Sequence, residues 1–336
     1  MEQQRASLIC REEQAPGKAS LGWIGGGYTD ALHSGLEYVG VLRNIRRGDR
    51  VAIKPNLTYP TFRKGVMTNP EAIEAAIALL TDFGAKVTVC EADSGGYNPF
   101  SMDEVFSVTG IAACAKRHGA EIVNLSKQEC CDIAVKSGSR TLKVPLPRRL
   151  VKETDWLISM PVPKIHMNTV VSLSIKNLWG IIPDPTVRLR LHPYLADVVH
   201  AVARAMPKPI AVMDGLYGLT RSGPLNGDAL ELGWLLVADN LYTCDYVAGE
   251  LMGVPWAQVP HLRRIFEAVG VDWVRKSGAN IDIANFRVGE FYLERAWTDY
   301  PGLFTFNSRL LAYIGYESFL AHPLHWLLYR FRKPFY

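Results

Sequence analysis

The sequence predicts an α/β fold, a mostly parallel sheet with helices on both faces, followed by an aromatic-rich C-terminal appendage. Three observations predict it. Short apolar runs rich in β-branched residues recur along the chain, each closed by turn chemistry, as buried parallel strands require. Helical patterns separate several of these runs, and a strand-helix-strand unit crosses over right-handed, so its strands are parallel. The character then changes near Phe286, beyond which Trp, Tyr and Phe crowd together up to Tyr336.

Residues 1–20 read as a polar tail, 21–285 as the α/β domain and 286–336 as the aromatic-rich segment. Leu21-Gly22-Trp23-Ile24 is the first expected strand, and Gly25-Gly26-Gly27 leads into a helix through Leu36 and Val39. Three glycines before a helix suit a mobile turn or a phosphate cradle, but the GxGxxG spacing of a dinucleotide site is missing. Arg50-Val51-Ala52-Ile53 ends in Lys54-Pro55-Asn56 and a Pro-, Arg- and Lys-rich loop suited to a lid or binding role. Thr68-Asn69-Pro70-Glu71 carries the cap and first-turn proline of a helix with Ile73, Ile77 and Leu80 on one face. The strand Lys86–Cys90 ends in Glu91-Ala92-Asp93-Ser94-Gly95-Gly96. One helix is expected from Met102 to His118, with Val105, Val108, Ile111 and Ala115 inward. The strand Glu121–Asn124 follows, then a weaker β-excursion over 126–148 and the strand Trp156–Met160. A helix over Leu195–Met206 precedes the strand Pro209–Met213, closed by Asp214-Gly215, and Leu235–Ala238 supplies a fifth strand.

A chain of 336 residues can bury a sizeable core as one large or two modest domains. Its 48% hydrophobic and 21% charged residues are those of a globular protein, which excludes a mainly disordered chain. A net charge of +4 without a dense basic run outside the termini signals no nucleic-acid partner. Cys10, Cys90, Cys114, Cys130, Cys131 and Cys244 form no CxxC pair and show no zinc or cluster spacing. Reduced thiols in a cytoplasmic protein are therefore expected. The polar start Met1–Arg5 has no apolar stretch after it, so no secretory signal is read, and no apolar run reaches the roughly eighteen residues of a spanning helix.

The densest chemistry lies in Pro163-Lys164-Ile165-His166-Met167-Asn168 and in Lys176-Asn177-Leu178-Trp179-Gly180. In open α/β sheets ligands sit at the carboxyl ends of strands, and here four such ends offer Lys, Asn, Asp and His. If the strands are neighbours, these groups converge. An extended chain puts Lys164, His166, Asn168 and Lys176 on one face, whereas a helix from Asn168 groups Thr169, Ser172 and Lys176. Lysines around His166 favour the neutral ring that a general base needs. Lys176, inside an apolar run, suits anion binding, proton transfer at a lowered pKa, or an ion pair with Asp214 or Asp93. Asp93 and Ser94 offer groups for a ribose, a metal or a hydroxyl, or else an ordinary capped turn. His192 precedes a helix as a second ring, but no HxH or HxxxH spacing links it to His166, and no metal ligands are assigned. The catalytic candidates are His166, Lys176 and Asp214; the binding candidates are Lys54, Asn56, Asp93, Ser94, Lys164, Asn168, Asn177 and His192.

Taken in order, Lys54-Pro55-Asn56-Leu57, Gly65–Pro70, Pro163–His166, Ser172–Gly180, Met213-Asp214-Gly215 with Gly223-Pro224, and Asp239–Asp245 with Leu251-Met252-Gly253 resemble the uncharacterised family known as domain of unknown function 362. The resemblance runs from about Leu21 to Gly270. It implies an α/β domain with more distant similarity to the N-terminal domain of nickel-dependent lactate racemases. Some members carry a ferredoxin-like segment of closely spaced cysteines, which this chain lacks.

The expected function is an enzyme acting on a small anionic molecule, a carboxylate or phosphate held by Lys54, Lys164 and Lys176, with His166 or Asp214 moving a proton. Isomerase, lyase or cyclase chemistry needs little more than this set. Aromatic residues near the motif and at the C-terminus point to a bulky apolar or aromatic substrate of the kind met in secondary metabolism and biosynthesis. The rival expectation is a non-catalytic ligand- or metal-binding or maturation protein, and no cofactor is assigned. The C-terminal segment is expected to pack on the domain or on a partner, including a second copy. Its mixture of aromatics with Arg330, Arg332 and Lys333 is also that of a helix in weak peripheral contact with a membrane.

Overall fold

In the computed structural model, the described residues are 16–94, 100–280, 282–286, 290–316 and 318–331. The strands among them are β1 (Lys18–Trp23), β2 (Arg50–Pro55), β3 (Lys86–Glu91), β4 (Glu121–Asn124), β5 (Cys130–Ser137) and β6 (Arg140–Pro147). Then come β7 (Trp156–Met160), β8 (Lys164–His166), β9 (Val170–Ser172), β10 (Pro209–Thr220), β11 (Asp228–Ala238) and β12 (Gly278–Ala279). The main sheet runs β12-β1-β11-β10-β7-β2-β3-β4, with β8 paired to the far end of β10 and β9 to β8. Strands β10, β7, β2, β3 and β4 are mutually parallel, and β11 runs antiparallel between β1 and β10. The fold is thus α/β with a mostly parallel sheet.

Each strand feeds two cores because alternate side chains leave opposite faces. On β2, Val51 and Ile53 join Ile73, Ile77 and Leu80 of the helix Pro70–Asp82, while Ala52 joins Val198, Val199 and Val202 of the helix Leu195–Ala205. Helices therefore cover both faces. The helix Pro70–Asp82 starts where expected: Asn69 Oδ1 accepts the Glu71 N–H at 3.0 Å, and Pro70 fills a position whose N–H needs no partner.

Three local expectations change. The single helix over Met102–His118 is two, Met102–Val108 and Ile111–Arg117, because Gly110 takes φ 78° between them. Val108 then points outward, 61% exposed, while Val105, Ile111 and Ala115 are buried. The β-excursion expected over 126–148 is present as the hairpin β5–β6. The expected tail ends earlier than residue 20, because β1 begins at Lys18; residues 1–15 lie outside the described part.

The strand expected to stop at Met213 instead runs to Thr220 and pairs with β11 along its length, with an irregularity between Gly215 and Tyr217. Asp214-Gly215 looks like a turn in sequence. Here the glycine makes room for a ring, since a Cβ at Gly215 would stand 2.1 Å from Trp234 Cε3.

Candidate functional site

Lys54 and Glu91 lie near the carboxyl ends of the neighbouring strands β2 and β3. Lys54 Nζ donates to Glu91 Oε2 at 2.6 Å, to the Pro55 carbonyl at 2.9 Å and to Asn177 Oδ1 at 3.2 Å. Asn177 Nδ2 in turn donates to the Lys54 carbonyl at 3.1 Å and to Ser159 Oγ at 3.0 Å. These groups are buried, and the charge is balanced inside the network. Gly180 closes it: a Cβ there would lie 2.6 Å from Glu91 Oε1.

A second knot holds the loop after β2. Asn56 Nδ2 and Lys164 Nζ both donate to the Val66 carbonyl, at 2.5 and 2.9 Å. Asp214 Oδ2 accepts the Asn69 N–H at 2.7 Å, and Oδ1 accepts Tyr28 Oη–H at 2.9 Å and the Leu216 N–H at 3.1 Å. Burial raises the Asp214 pKa, and these hydrogen bonds oppose the rise. Its described side-chain bonds run to this loop, to Tyr28 and to Leu216.

Asp93 serves the other side. Its Oδ1 accepts the Met102 N–H at 2.6 Å and Asn124 Nδ2–H at 3.1 Å, and Ser94 Oγ donates to the Thr58 carbonyl at 2.9 Å. The reading in which Lys176 forms an ion pair with Asp214 or Asp93 is corrected, because neither acid reaches it and both carboxylates are occupied elsewhere.

The third group is the densest in titratable side chains. The stretch after Pro163 is neither one extended run nor one helix: β8 turns through Met167–Thr169 into β9, and the helix Ser174–Asn177 follows. Val170 makes that turn at φ 68°, a left-handed conformation that is uncommon for a β-branched residue. The Asn168 N–H donates to His166 Nδ1 at 3.1 Å, which puts the proton of the neutral ring on Nε2. Asn168 Nδ2 lies 3.2 Å from His192 Nδ1. Asp245, fully buried, accepts the Ser174 N–H at 2.7 Å, Ser174 Oγ–H at 2.5 Å and the Ile175 N–H at 3.2 Å. It thereby fixes the helix that carries Lys176 and Asn177.

His261, at the start of the helix Pro260–Val269, completes the group. The Thr169 main chain favours its protonated form, yet no hydrogen bond of normal geometry reaches either ring nitrogen. Burial, and then the Lys176 charge, hold His192 and His261 down to about 3. His166 lies well below the ordinary value through burial, followed by Lys176, His192, Lys164 and His261. Lys176 is lowered to about 7 by burial and by Lys164, and Lys164 to about 7 by burial and by Lys54, against a small opposing effect of Glu91. Among the described residues neither lysine has a salt-bridge partner.

A cavity of about 450 Å³ is lined by Asn168, Thr169, His192, His261, Arg264 and Asn307, among others. The C-terminal segment supplies part of this wall. Phe306 stacks on His192 with ring centroids 4.9 Å apart, Trp179 meets the same imidazole edge-on at 5.5 Å, and Asn307 Nδ2 donates to Asn168 Oδ1 at 3.1 Å. Lys164, His166 and Lys176 are not among the lining residues.

Among the described residues, Glu74, Cys114 and His118 are the three potential metal ligands that come within ligand reach of one another, and Arg117 already pairs with Glu74 at 2.7 Å. His166, His192 and His261 do not form such a group.

A family model described as a domain of unknown function, DUF362, matches residues 51–250. The chain belongs to DUF362. The matched span contains every residue of the three knots except Tyr28, His261 and the C-terminal contacts. This DUF362 member is 23% identical over 252 residues to a thylakoid-associated protein of Synechocystis sp., covering 68% of this chain and 71% of the relative. A crystal structure of a Thermotoga maritima protein shares 10% identity with a TM-score of 0.43, over 72% of this chain and 57% of that one. The chain thus spans little more than half of that structure.

Sequence reasoning missed Glu91, Asp245, His261 and Asn307. Glu91 had a signal, since a lysine closing a buried strand calls for an acid on a neighbouring strand. Asp245 lies inside a family motif but looks like an ordinary helical acid. His261 and Asn307 carry no local pattern, and only the fold brings them to His192.

Proposed function

We propose that this DUF362 protein is an enzyme that binds a small anionic molecule, a carboxylate or a phosphate, at the cavity over His192 and His261 and moves a proton on it. One observation carries the reading: Lys176 is buried beside three histidines, and neither it nor Lys164 has a carboxylate of its own among the described residues. Buried cations without counter-charge are costly, and an anionic ligand would offset that cost. Both lysines titrate near 7; neither lines the cavity, so each acts on an anion there through its charge while cationic and not by direct contact. His261, which lines the cavity, supplies a neutral imidazole whose ring nitrogens are open to a ligand. Asp214 acts as a positioning residue, holding the loop that Asn56 and Lys164 grip.

Phe306 and Trp179, in ring contact with the lining residue His192, support a substrate with an apolar or aromatic body. Isomerase, lyase or cyclase chemistry in biosynthesis, in a cytoplasmic setting, is part of the same proposal. The test is calorimetry of the full chain against a panel of carboxylates and phosphate esters, followed by solvent deuterium exchange into each binder. Binding lost in Lys176→Met, with deuterium entering the bound molecule, is expected. Binding without exchange in any binder favours a non-catalytic holding protein, and unchanged binding by Lys176→Met removes the site assignment.

A further inference from the structure

Of the sixteen large hydrophobic side chains exposed among the described residues, twelve fall between Tyr292 and Leu327. Phe319 is 88% exposed and Trp297 82%. A soluble surface rarely leaves so many apolar side chains uncovered in one stretch unless they meet something. Eight of the twelve are carried by the consecutive helices Tyr300–Asn307, Arg309–Tyr316 and Ala321–Phe331, each in contact with the next, while Tyr292, Trp297, Phe319 and Leu320 lie in the segments flanking them. Phe304 and Tyr300 are one turn apart on the first, Leu310 and Tyr313 on the second, and Leu324 and Leu327 on the third. Small residues such as Ala312 and Ala321 are buried instead.

Basic residues follow at the end of this stretch. Residues 328–336 hold Arg330, Arg332 and Lys333 and no acid, whereas Tyr292–Leu327 carries Arg295 and Arg309 against Glu294, Asp299 and Glu317. The Arg330 guanidinium sits 4.6 Å from the Trp326 ring centroid, so a cation and an interfacial aromatic are held together. Tryptophan, tyrosine and phenylalanine beside arginine suit the boundary of a bilayer, where rings enter the headgroup layer and cations meet anionic lipid. No helix among the described residues is long and apolar enough to cross a membrane.

We propose that the C-terminal helices dock this protein on an anionic lipid surface. Their aromatic side chains enter the interface without spanning it, and Arg330, held beside Trp326, meets the headgroups. The helix that exposes Tyr300 and Phe304 also places Phe306 on His192 and Asn307 on Asn168, so docking sets the cavity wall close to the bilayer.

The test is flotation of the full chain with phosphatidylcholine vesicles, with and without phosphatidylglycerol, read together with tryptophan emission. Expected are binding to the anionic vesicles, a blue shift, and weakening by added salt. The Trp297→Ser, Phe319→Ser, Trp326→Ser triple variant should bind at least about tenfold more weakly at an unchanged melting temperature. If that variant does not fold, Phe319→Ser alone must still show a measurable loss. Absence of vesicle binding by the native chain overturns the proposal, as does equal binding by the folded variants. A dimer that the triple variant dissociates, without vesicle binding, overturns it in favour of a second copy. Lys176→Met should leave vesicle binding intact, which separates this surface from the anion site.

Discussion

Lys54 Nζ lies 2.6 Å from Glu91 Oε2, an ion pair buried between the ends of two parallel strands and shared with Asn177. Removing one partner leaves the other charge buried and uncompensated. Glu91→Gln is expected to cost about 3–5 kcal/mol in urea unfolding. The double variant Lys54→Met, Glu91→Gln should recover part of that loss, because both charges are gone. A double variant less stable than Glu91→Gln by the full cost of Lys54→Met would show that the two side chains are not coupled.

Asp245 holds the Ser174–Asn177 helix by three hydrogen bonds while burial pushes its own pKa up to about 7. Asp245→Ala strips partners from two buried N–H groups and a hydroxyl. The expected loss is about 2–4 kcal/mol by chemical denaturation. Because this helix carries Lys176, anion binding should weaken in the same variant even where it remains folded.

The two lysines make anion binding depend on pH. Each has a folded pKa near 7, below the ordinary 10.5, so an anion that favours the charged form draws protons in as it binds. Affinity should therefore be high below pH 7 and fall above it. Calorimetry of phosphate binding in buffers of different ionisation enthalpy reads the proton uptake directly; heats independent of buffer near pH 7.5 would count against protonation of either lysine.

The histidines set the acid side of stability. Folding depresses the pKa of His166, His192 and His261, with values of about 3 for the latter two, so the unfolded chain binds more protons below 6.5. Their contribution is fully present above pH 6.5 and is lost as pH falls toward 3. Between pH 6.5 and 5.5 His192 and His261 are each expected to remove roughly 1 kcal/mol. Urea midpoints across that range should fall less steeply in His261→Leu than in the native chain; parallel curves would refute the buried neutral state of this ring.

Most of the sheet was legible because strand burial repeats locally. Val51–Ile53, Val87–Cys90 and Trp156–Met160 each announce a buried strand within a few residues, and Asn69-Pro70 announces a helix. The extension of β10 to Thr220 was not, because the reason for Gly215 is the Trp234 ring on another strand.

The same division runs through the site. Sequence by itself determined the family, the parallel α/β pattern and the candidates Lys54, Asn56, Lys164, His166, Asn168, Lys176, Asn177 and His192, since side-chain chemistry and strand ends are local properties. Only the tertiary structure decided their partners. It tied Lys54 to Glu91 and Asp214 to Tyr28 and Asn69, and it brought His261 beside the Lys176 group. Distance between residues far apart in the chain is set by packing of the whole fold, and so is the burial that lowers Lys164 and Lys176 to about 7. No window of sequence contains either quantity.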